Sequence, residues 1–312
     1  MAHSVFIDGA AGTTGLEIHE RLAGRAEFEL LTLPEDRRKD DAARREALNE
    51  ADFAILCLPD DAARDAVAMI DPASETRVID ASSAHRVADS WTYGFPELVG
   101  REQVANAARV SNPGCYPTGF LALVAPLVRG GMLPADWPFT INAVSGYSGG
   151  GKALIERFRS DPDLALRFYA LDLAHKHRAE MQLRAGLKHG VIFAPSVVRA
   201  YRGMLVEVPL HLGAIDPQLS AEDLLGALRD HYAGSSIVTV SGDRDLDELL
   251  LGEDEPPTDA MQLHVFGNAE GYHARLIARL DNLGKGAGGA AVQNLNLMAG
   301  LPETEGLRLP AQ

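Results

Sequence analysis

Short apolar runs alternate with amphipathic stretches along the first third of the chain. Ser4-Val-Phe-Ile-Asp8, Phe28–Leu33, Phe53–Leu58 and Arg77-Val-Ile-Asp80 read as strands, each a brief apolar run bounded by polar or turn-forming residues. Leu16–Leu22, Asp41–Leu48 and Asp60–Ile70 read as helices between them. The last opens on two acids, which suit the positive end of a helix dipole. This alternation predicts a parallel, doubly wound α/β sheet. Beyond Cys115 the texture changes. Phe139–Val144, Met204–Leu212, Ile237–Ser241 and Ala274–Leu280 read as strands with fewer helices between them. They predict a second, α+β domain with a mixed or antiparallel sheet. Asp243–Asp259 is acidic and closes on Pro256-Pro257, which predicts a surface excursion. Gly286–Ala299 reads as a helix entered through a glycine-rich turn.

A chain of 312 residues is long enough for two domains, each with its own core. With 46% apolar and 23% charged residues it is an ordinary globular composition. The formal net charge of −15 argues against nucleic acid or an anionic membrane as a partner, since neither is drawn to a negative surface. An anionic small ligand then needs local clusters of cations. The longest apolar stretch, Phe120–Val128, is too short to span a bilayer and contains Pro126. The N-terminus leads directly into a strand, with no secretory pattern, so a cytoplasmic protein is expected.

There are two cysteines, which excludes a disulfide scaffold. Cys57 falls in an apolar run and reads as a structural residue of a buried strand. Cys115 differs. It sits in Ser111-Asn-Pro-Gly-Cys-Tyr-Pro-Thr118, a tight turn, with the apolar run Gly119–Pro126 behind it reading as a helix. A thiol at a helix N-terminus feels the positive end of the macrodipole, which lowers its pKa and favours the nucleophilic thiolate. Pro117 suits a first helical turn, where its missing N–H costs nothing. The competing assignment is a small buried hydrophobe in a turn.

Three further stretches carry chemistry. Gly9-x-x-Gly12-x-x-Gly15, with Thr13 and Thr14, follows a strand and opens a helix. Glycines there let the backbone approach a pyrophosphate seated on the helix N-terminus, so a Rossmann-type dinucleotide site is expected. After the second strand, Arg37, Arg38 and Lys39 are placed to neutralise a 2′-phosphate, which favours NADP, while Glu35 keeps NAD open. His175-Lys-His177-Arg178-Ala-Glu180 offers an acid/base histidine. A metal site is not expected, because histidines two apart on a helix do not share a face and no further ligand set is evident. Ser145-Gly146-Tyr-Ser-Gly-Gly-Gly-Lys152 reads as a small-residue loop able to hold an anion or cofactor ring. Ser83 and Arg86 follow the fourth strand, at the edge where ligands bind in such sheets, and are candidates for an anionic substrate group.

Together these stretches resemble the N-acetyl-gamma-glutamyl-phosphate reductase family, in its shorter form. The resemblance lies in Gly9–Gly15, Asp80–Arg86 with Tyr93-Gly-Phe-Pro-Glu97, Ser111–Thr118, Ser145–Gly151, His175–Glu180, Arg202-Gly-Met204 and Lys285-Gly-Ala-Gly-Gly-Ala-Ala-Val-Gln293-Asn294, in the family's order. This chain departs from it at Ala179, where the family often has proline, at Ala84-His85-Arg86, and near Arg199. The resemblance implies an NADPH-dependent oxidoreductase of arginine biosynthesis that reduces a small anionic acyl phosphate through a Cys115 thioester. One of His175 and His177 is then the acid/base. Gly9, Gly12, Thr13, Thr14, Gly15, Arg37, Arg38, Ser145, Gly146 and Asn294 are implied for the cofactor, with Gln293 an alternative to Asn294. Ser83, Arg86, Glu180 and Arg202 are implied for the substrate. It also implies a discontinuous NADP-binding domain, 1–114 and 285–312, around a catalytic and dimerisation domain, 115–284, and a homodimer or homotetramer. Two other classes stay open. One is a related acyl-phosphate reductase acting on aspartyl phosphate or a carrier-linked aminoadipyl phosphate. The other is a non-enzymatic NADP-binding redox sensor.

Overall fold

The computed structural model describes residues 2–243 and 246–310. The chain divides into two compact units, Met1–Gly114 with Ala287–Leu307, and Cys115–Gly286 with Arg308–Gln312.

The first unit runs β1 (His3–Asp8), α1 (Thr13–Leu22), β2 (Phe28–Leu31), α2 (Asp41–Glu50), β3 (Phe53–Leu56), α3 (Asp60–Met69), β4 (Arg77–Asp80), β5 (Thr92–Tyr93), α4 (Pro96–Val99), α5 (Arg101–Ala105) and β6 (Arg109–Ser111). Its six strands lie in the order β2-β1-β3-β4-β6-β5 with every pairing parallel. All four residues of β3 are buried, as expected of a central strand covered on both faces. Val5, Ile7, Ile55 and Ile79 pack with Ile18 and Leu22 of α1 on one face. Phe6, Ala54, Leu56 and Val78 pack with Leu48 of α2 and Ala66 of α3 on the other. α2 starts where Asp40 caps the amides of Ala42 and Ala43. The strands β2 and β3 stop two residues short of the apolar runs that announce them, and Cys57 lies just past β3 rather than within it. Burial, followed by the carboxylates of Asp80 and Asp8, pushes the Cys57 thiol up to about 12, which disfavours its thiolate near neutral pH.

The second unit opens with α6 (Cys115–Arg129), followed by β7 (Thr140–Gly146), a 3-10 turn (Tyr147–Gly150), α7 (Gly151–Ser160), β8 (Leu166–Phe168), α8 (His177–Ala185), β9 (Ile192–Val198), β10 (Met204–His211), α9 (Leu212–Ile215), α10 (Ala221–His231), β11 (Val238–Val240), β12 (Met261–Gly267) and β13 (His273–Leu280). The seven strands lie in the order β11-β12-β13-β10-β7-β9-β8, mixing parallel and antiparallel pairs. α6 packs on this sheet so closely that a Cβ on Gly119 would stand 2.7 Å from a Val206 methyl. Pro126 inside α6 leaves the Ala122 carbonyl without its helical N–H, and the Tyr232 hydroxyl supplies the missing donor at 2.9 Å. Left unmet, that buried carbonyl would cost about 1–3 kcal/mol.

The residues 243 and 246–259 form no helix or strand, in keeping with an excursion, but they are tied to the sheet. The Glu253 carbonyl accepts the Tyr201 amide, and Glu255 pairs with Arg279 at 3.0 Å. Arg244 and Asp245, within that acidic stretch, lie outside the described residues. A π-helical turn, Gly284–Gly288, leads to α11 (Gly289–Met298), whose Ala291, Val292, Leu295 and Met298 complete the α1 face of the first unit's sheet.

Candidate active site

In the first unit the glycine turn is tightly built. Gly9 has φ +86°, and a Cβ there would lie 2.3 Å from the Cys57 carbonyl oxygen. The Gly12 amide donates to the Gly9 carbonyl at 2.9 Å, and a Cβ on Gly15 would meet that same carbonyl at 2.5 Å. Only glycine fits the two outer positions. Gly12 caps α1 without a side chain, and the first turn, Thr13-Thr14, holds no acid. The helix therefore presents unmet amides and the positive end of its dipole, which is what a pyrophosphate requires. The helix starts three residues earlier than the apolar pattern predicts, so Thr13 and Thr14 belong to it. Beneath the turn, Arg44 donates to one Asp8 oxygen from Nε at 3.2 Å and Nη2 at 2.9 Å, an anchor with no obvious sequence signal.

At the far end of the unit, Asn294 is fully buried. Its amide nitrogen donates to the Gly94 carbonyl at 2.9 Å and to Asn112 Oδ1 at 3.0 Å, which fixes the amide's orientation. Its own Oδ1 is buried with no hydrogen-bond partner. A bare acceptor of this kind fits a carboxamide N–H, so the residues present suit a nicotinamide dinucleotide. Gln293 instead bonds Glu97 and Glu303, both at 3.1 Å. Arg37 and Arg38 stand about half exposed, weakly paired with Asp40 at 3.9 Å and Glu35 at 3.1 Å. The two residues after β4 are engaged within the unit. Ser83 bonds both Asp60 oxygens, from its hydroxyl at 2.6 Å and its amide at 2.9 Å. Arg86 is buried and donates to the carbonyls of Asn112 and Ala81, both at 2.9 Å.

In the second unit Cys115 is the first residue of α6, a helix of 15 residues. The positive end of the helix dipole falls on its thiol. Gly286 backs it: a Cβ there would lie 2.9 Å from Cys115 Cβ, a close approach that only a glycine allows. The next side chain, Tyr116, meets both histidines, with ring centroids 6.1 Å from His175 and 6.0 Å from His177. Only His177 is on α8; His175 precedes it, so the two rings touch at 4.6 Å rather than splaying around a helix. That overturns the expectation that the pair shares no face, which assumed a helix through both. Glu180 lies one turn beyond His177 on the buried face of α8. Burial, with the Lys176 charge beside it, pushes His175 down to about 4. His175 is thus neutral near pH 7 and a poor proton donor there.

The semialdehyde dehydrogenase NAD binding domain family matches residues 36–107, and the semialdehyde dehydrogenase dimerisation domain family matches residues 115–282. The N-acetyl-gamma-glutamyl-phosphate reductase 2 of Pseudomonas putida is 50% identical, the alignment covering 97% of this chain and 98% of that one. The N-acetyl-gamma-glutamyl-phosphate reductase of Rhizobium meliloti is 49% identical, with 96% and 99% covered. The chain belongs to the N-acetyl-gamma-glutamyl-phosphate reductase family. Its fold is shared with an aspartate semialdehyde dehydrogenase from Francisella tularensis, at TM-score 0.71 and 14% identity over 96% of this chain and 100% of that one. It is also shared with aspartate semialdehyde dehydrogenase with NADP from Candida albicans, at TM-score 0.65 and 16% identity over 96% and 98%.

Other residues that the family resemblance singles out have definite local partners. Ser145–Lys152 is no free loop: Ser145 and Gly146 end β7, a 3-10 turn follows, and Lys152 lies in the first turn of α7. Strand pairing to β10 and β9 orders it, an effect that small-residue composition alone does not reveal. The Gly146 amide donates to the Gly203 carbonyl at 2.8 Å, bringing this strand end to the Arg202 turn. Arg202 is buried against Asp281 at 3.0 Å. Burial raises the Asp281 carboxyl despite that cation and the Leu283 and Thr258 amides. Arg199 donates to the carbonyls of Phe158, Asp161 and Leu164, pinning the segment that leads into β8. Asn282 was missed by the sequence reading. Its amide donates to Ser148 Oγ at 2.9 Å, and its buried Oδ1 has no partner. Among the described residues no helix is long and apolar enough to cross a membrane.

Proposed function

We propose that this chain reduces N-acetyl-L-glutamyl 5-phosphate to N-acetyl-L-glutamate 5-semialdehyde with release of phosphate, using NADPH, as a step of arginine biosynthesis. The observation that carries the reading is the seating of one thiol at the first residue of α6, with both histidines against the very next ring. His177 takes the Cys115 proton, and the thiolate attacks the acyl carbon. The C–O bond to phosphate breaks, phosphate leaves with uptake of a proton, and a thioester remains on Cys115. Two lower barriers replace one high one. NADPH, when bound, supplies the hydride that reduces the thioester carbon. The oxyanion so formed takes its proton from His177. When the C–S bond breaks, that proton returns to His177, the aldehyde departs and Cys115 is again a thiolate. Glu180, on the same buried face of α8, orients the imidazole.

Gly9, Gly12, Thr13, Thr14 and Gly15 would hold the dinucleotide phosphates, and Asn294 Oδ1 would accept from the nicotinamide carboxamide. Arg37 and Arg38, with Lys39, meet the 2′-phosphate: their carboxylate partners are exposed and easily exchanged. Replacing all three with alanine should raise KM for NADPH far more than KM for NADH. Equal effects on both cofactors would mark these cations as merely solvated. Ser145 and Gly146 are assigned to the cofactor, and Ser83, Arg86 and Arg202 to the substrate side, where Arg86 acts through the backbone carbonyls it braces. The protein works in the cytoplasm as a homodimer or homotetramer built on its dimerisation domain.

The deciding assay runs the reaction backwards. The purified protein, with NADP and inorganic phosphate, should oxidise N-acetyl-glutamate 5-semialdehyde and leave aspartate semialdehyde untouched. Preference for aspartate semialdehyde would reassign the substrate while keeping the thioester chemistry.

A further inference from the structure

A chain of hydrogen bonds lies under the proposed acid/base. The His177 amide donates to His175 Nδ1 at 3.1 Å. His175 Nε2 stands 3.4 Å from the Tyr169 hydroxyl. The Tyr116 hydroxyl, beside that of Tyr169, donates to the Ser196 carbonyl in β9 at 3.2 Å. A backbone amide can only donate, so the near end fixes the tautomer. His175 Nδ1 is bare to accept from the His177 amide, and Nε2 carries the ring proton toward the Tyr169 oxygen. The low pKa of His175 agrees with an imidazole that holds one proton and keeps it.

We propose that His175 and Tyr169 are positioning residues that hold the first turn of α8, and with it His177, in the geometry proton transfer needs. Lys176, at the cap position, supplies no side-chain cap bond to this turn. His175 fills the role twice, since its carbonyl also accepts the Arg178 amide at 3.1 Å. The segment between β8 and α8 is held firmly. Ala170 and Leu173 both have positive φ, 51° and 57°, which non-glycine residues adopt only where their surroundings insist. Arg167 lies over the Tyr169 ring at 4.5 Å, and Arg178 grips the carbonyls of Leu173 and Val191. The chain also ties the two reactive residues together, because Tyr116 directly follows Cys115.

This inference rests on the assignment of His177 as acid/base, and its test separates the two. In His175→Ala the acceptor is gone. The fall in kcat should be about 100-fold, the size of effect expected when a reacting group drifts by about an ångström, with KM little changed. His175→Asn puts Oδ1 where Nδ1 was and should recover most of that loss, to within about tenfold of the wild type. Tyr169→Phe should lower kcat by itself but add nothing to His175→Ala, because the chain is already cut. NADPH binding and thermal unfolding of each variant establish that it is folded. If His175→Asn is as slow as His175→Ala, or if His175→Ala matches wild type, while His177→Asn is inactive, the positioning role is wrong and the acid/base reading stands. If His177→Asn keeps its rate and both His175 variants are inactive, the acid/base is His175 and both readings fall.

Discussion

Cys115→Ser is expected to abolish turnover while NADPH still binds. The substitution changes one atom at the first residue of α6, and the helix and its dipole remain. A serine hydroxyl is hardly ionised under conditions where a thiol at that position yields thiolate, so the acyl-enzyme does not form at a useful rate. Losing the nucleophile should lower kcat by about three orders of magnitude or more. Cofactor titration by fluorescence should be unaltered, since the glycine cradle and Asn294 belong to the other unit. Cys57 is the internal control. Its thiol is pushed up to about 12 by burial, so iodoacetamide should label Cys115 alone, and one label per chain should track the loss of activity. A Cys115→Ser protein that keeps a tenth of the wild-type rate would move the nucleophile elsewhere.

The first unit was the more legible part of the chain, for a physical reason. Strands such as β3, buried on both faces, need unbroken apolar runs, and the intervening helices carry a single apolar stripe. The second sheet is harder to read. β9 contains Pro195, which demotes a run as a strand signal, yet it pairs with β7 along its whole length. β12 buries His264 along with Met261, Leu263 and Val265, so it lacks a clean alternation, and it follows an acidic stretch that reads as loop. β8 is an edge strand of three residues, too short to announce itself. At the site, residue types with their own chemical signature were visible: three glycines at a strand end, a cysteine before a helix, two histidines. What they touch was not. The bond from Ser83 to Asp60, the Asn294 clamp on Gly94 and Asn112, and the bond from the Tyr116 hydroxyl to the Ser196 carbonyl join residues far apart in sequence. The helix start at His177 was also hidden, because His175 caps it with an imidazole and not with one of the side chains usual at that position.

His177→Asn should slow turnover by about two to four orders of magnitude, the usual contribution of a positioned acid/base. The variant keeps a polar side chain of similar reach, so the α8 turn and its bond to His175 survive. Alkylation of Cys115 should continue, slowed at neutral pH where the base no longer draws off the thiol proton, and restored as pH rises. Turnover should not recover in the same way, because the oxyanion still lacks its proton donor. His175 cannot take over. Its folded-state pKa of about 4 lies below the usual histidine value, so between pH 6 and 9 it is a neutral imidazole, whose single N–H is too weak an acid to protonate the oxyanion. The same depression has a consequence for stability. Unfolded His175 binds a proton as pH falls below its ordinary value of about 6.5, while the folded residue resists until about 4. The unfolded state therefore holds more protons across that window, and stability from this site is full above it and declines through it. Urea unfolding between pH 7 and 5 should show a gentler loss in His175→Asn than in the wild type. His177→Asn should keep the wild-type slope from His175 while losing the rate. Near-wild-type rates in His177→Asn and in His175→Asn alike would leave the proton to water or to another side chain, and the acid/base assignment would fail.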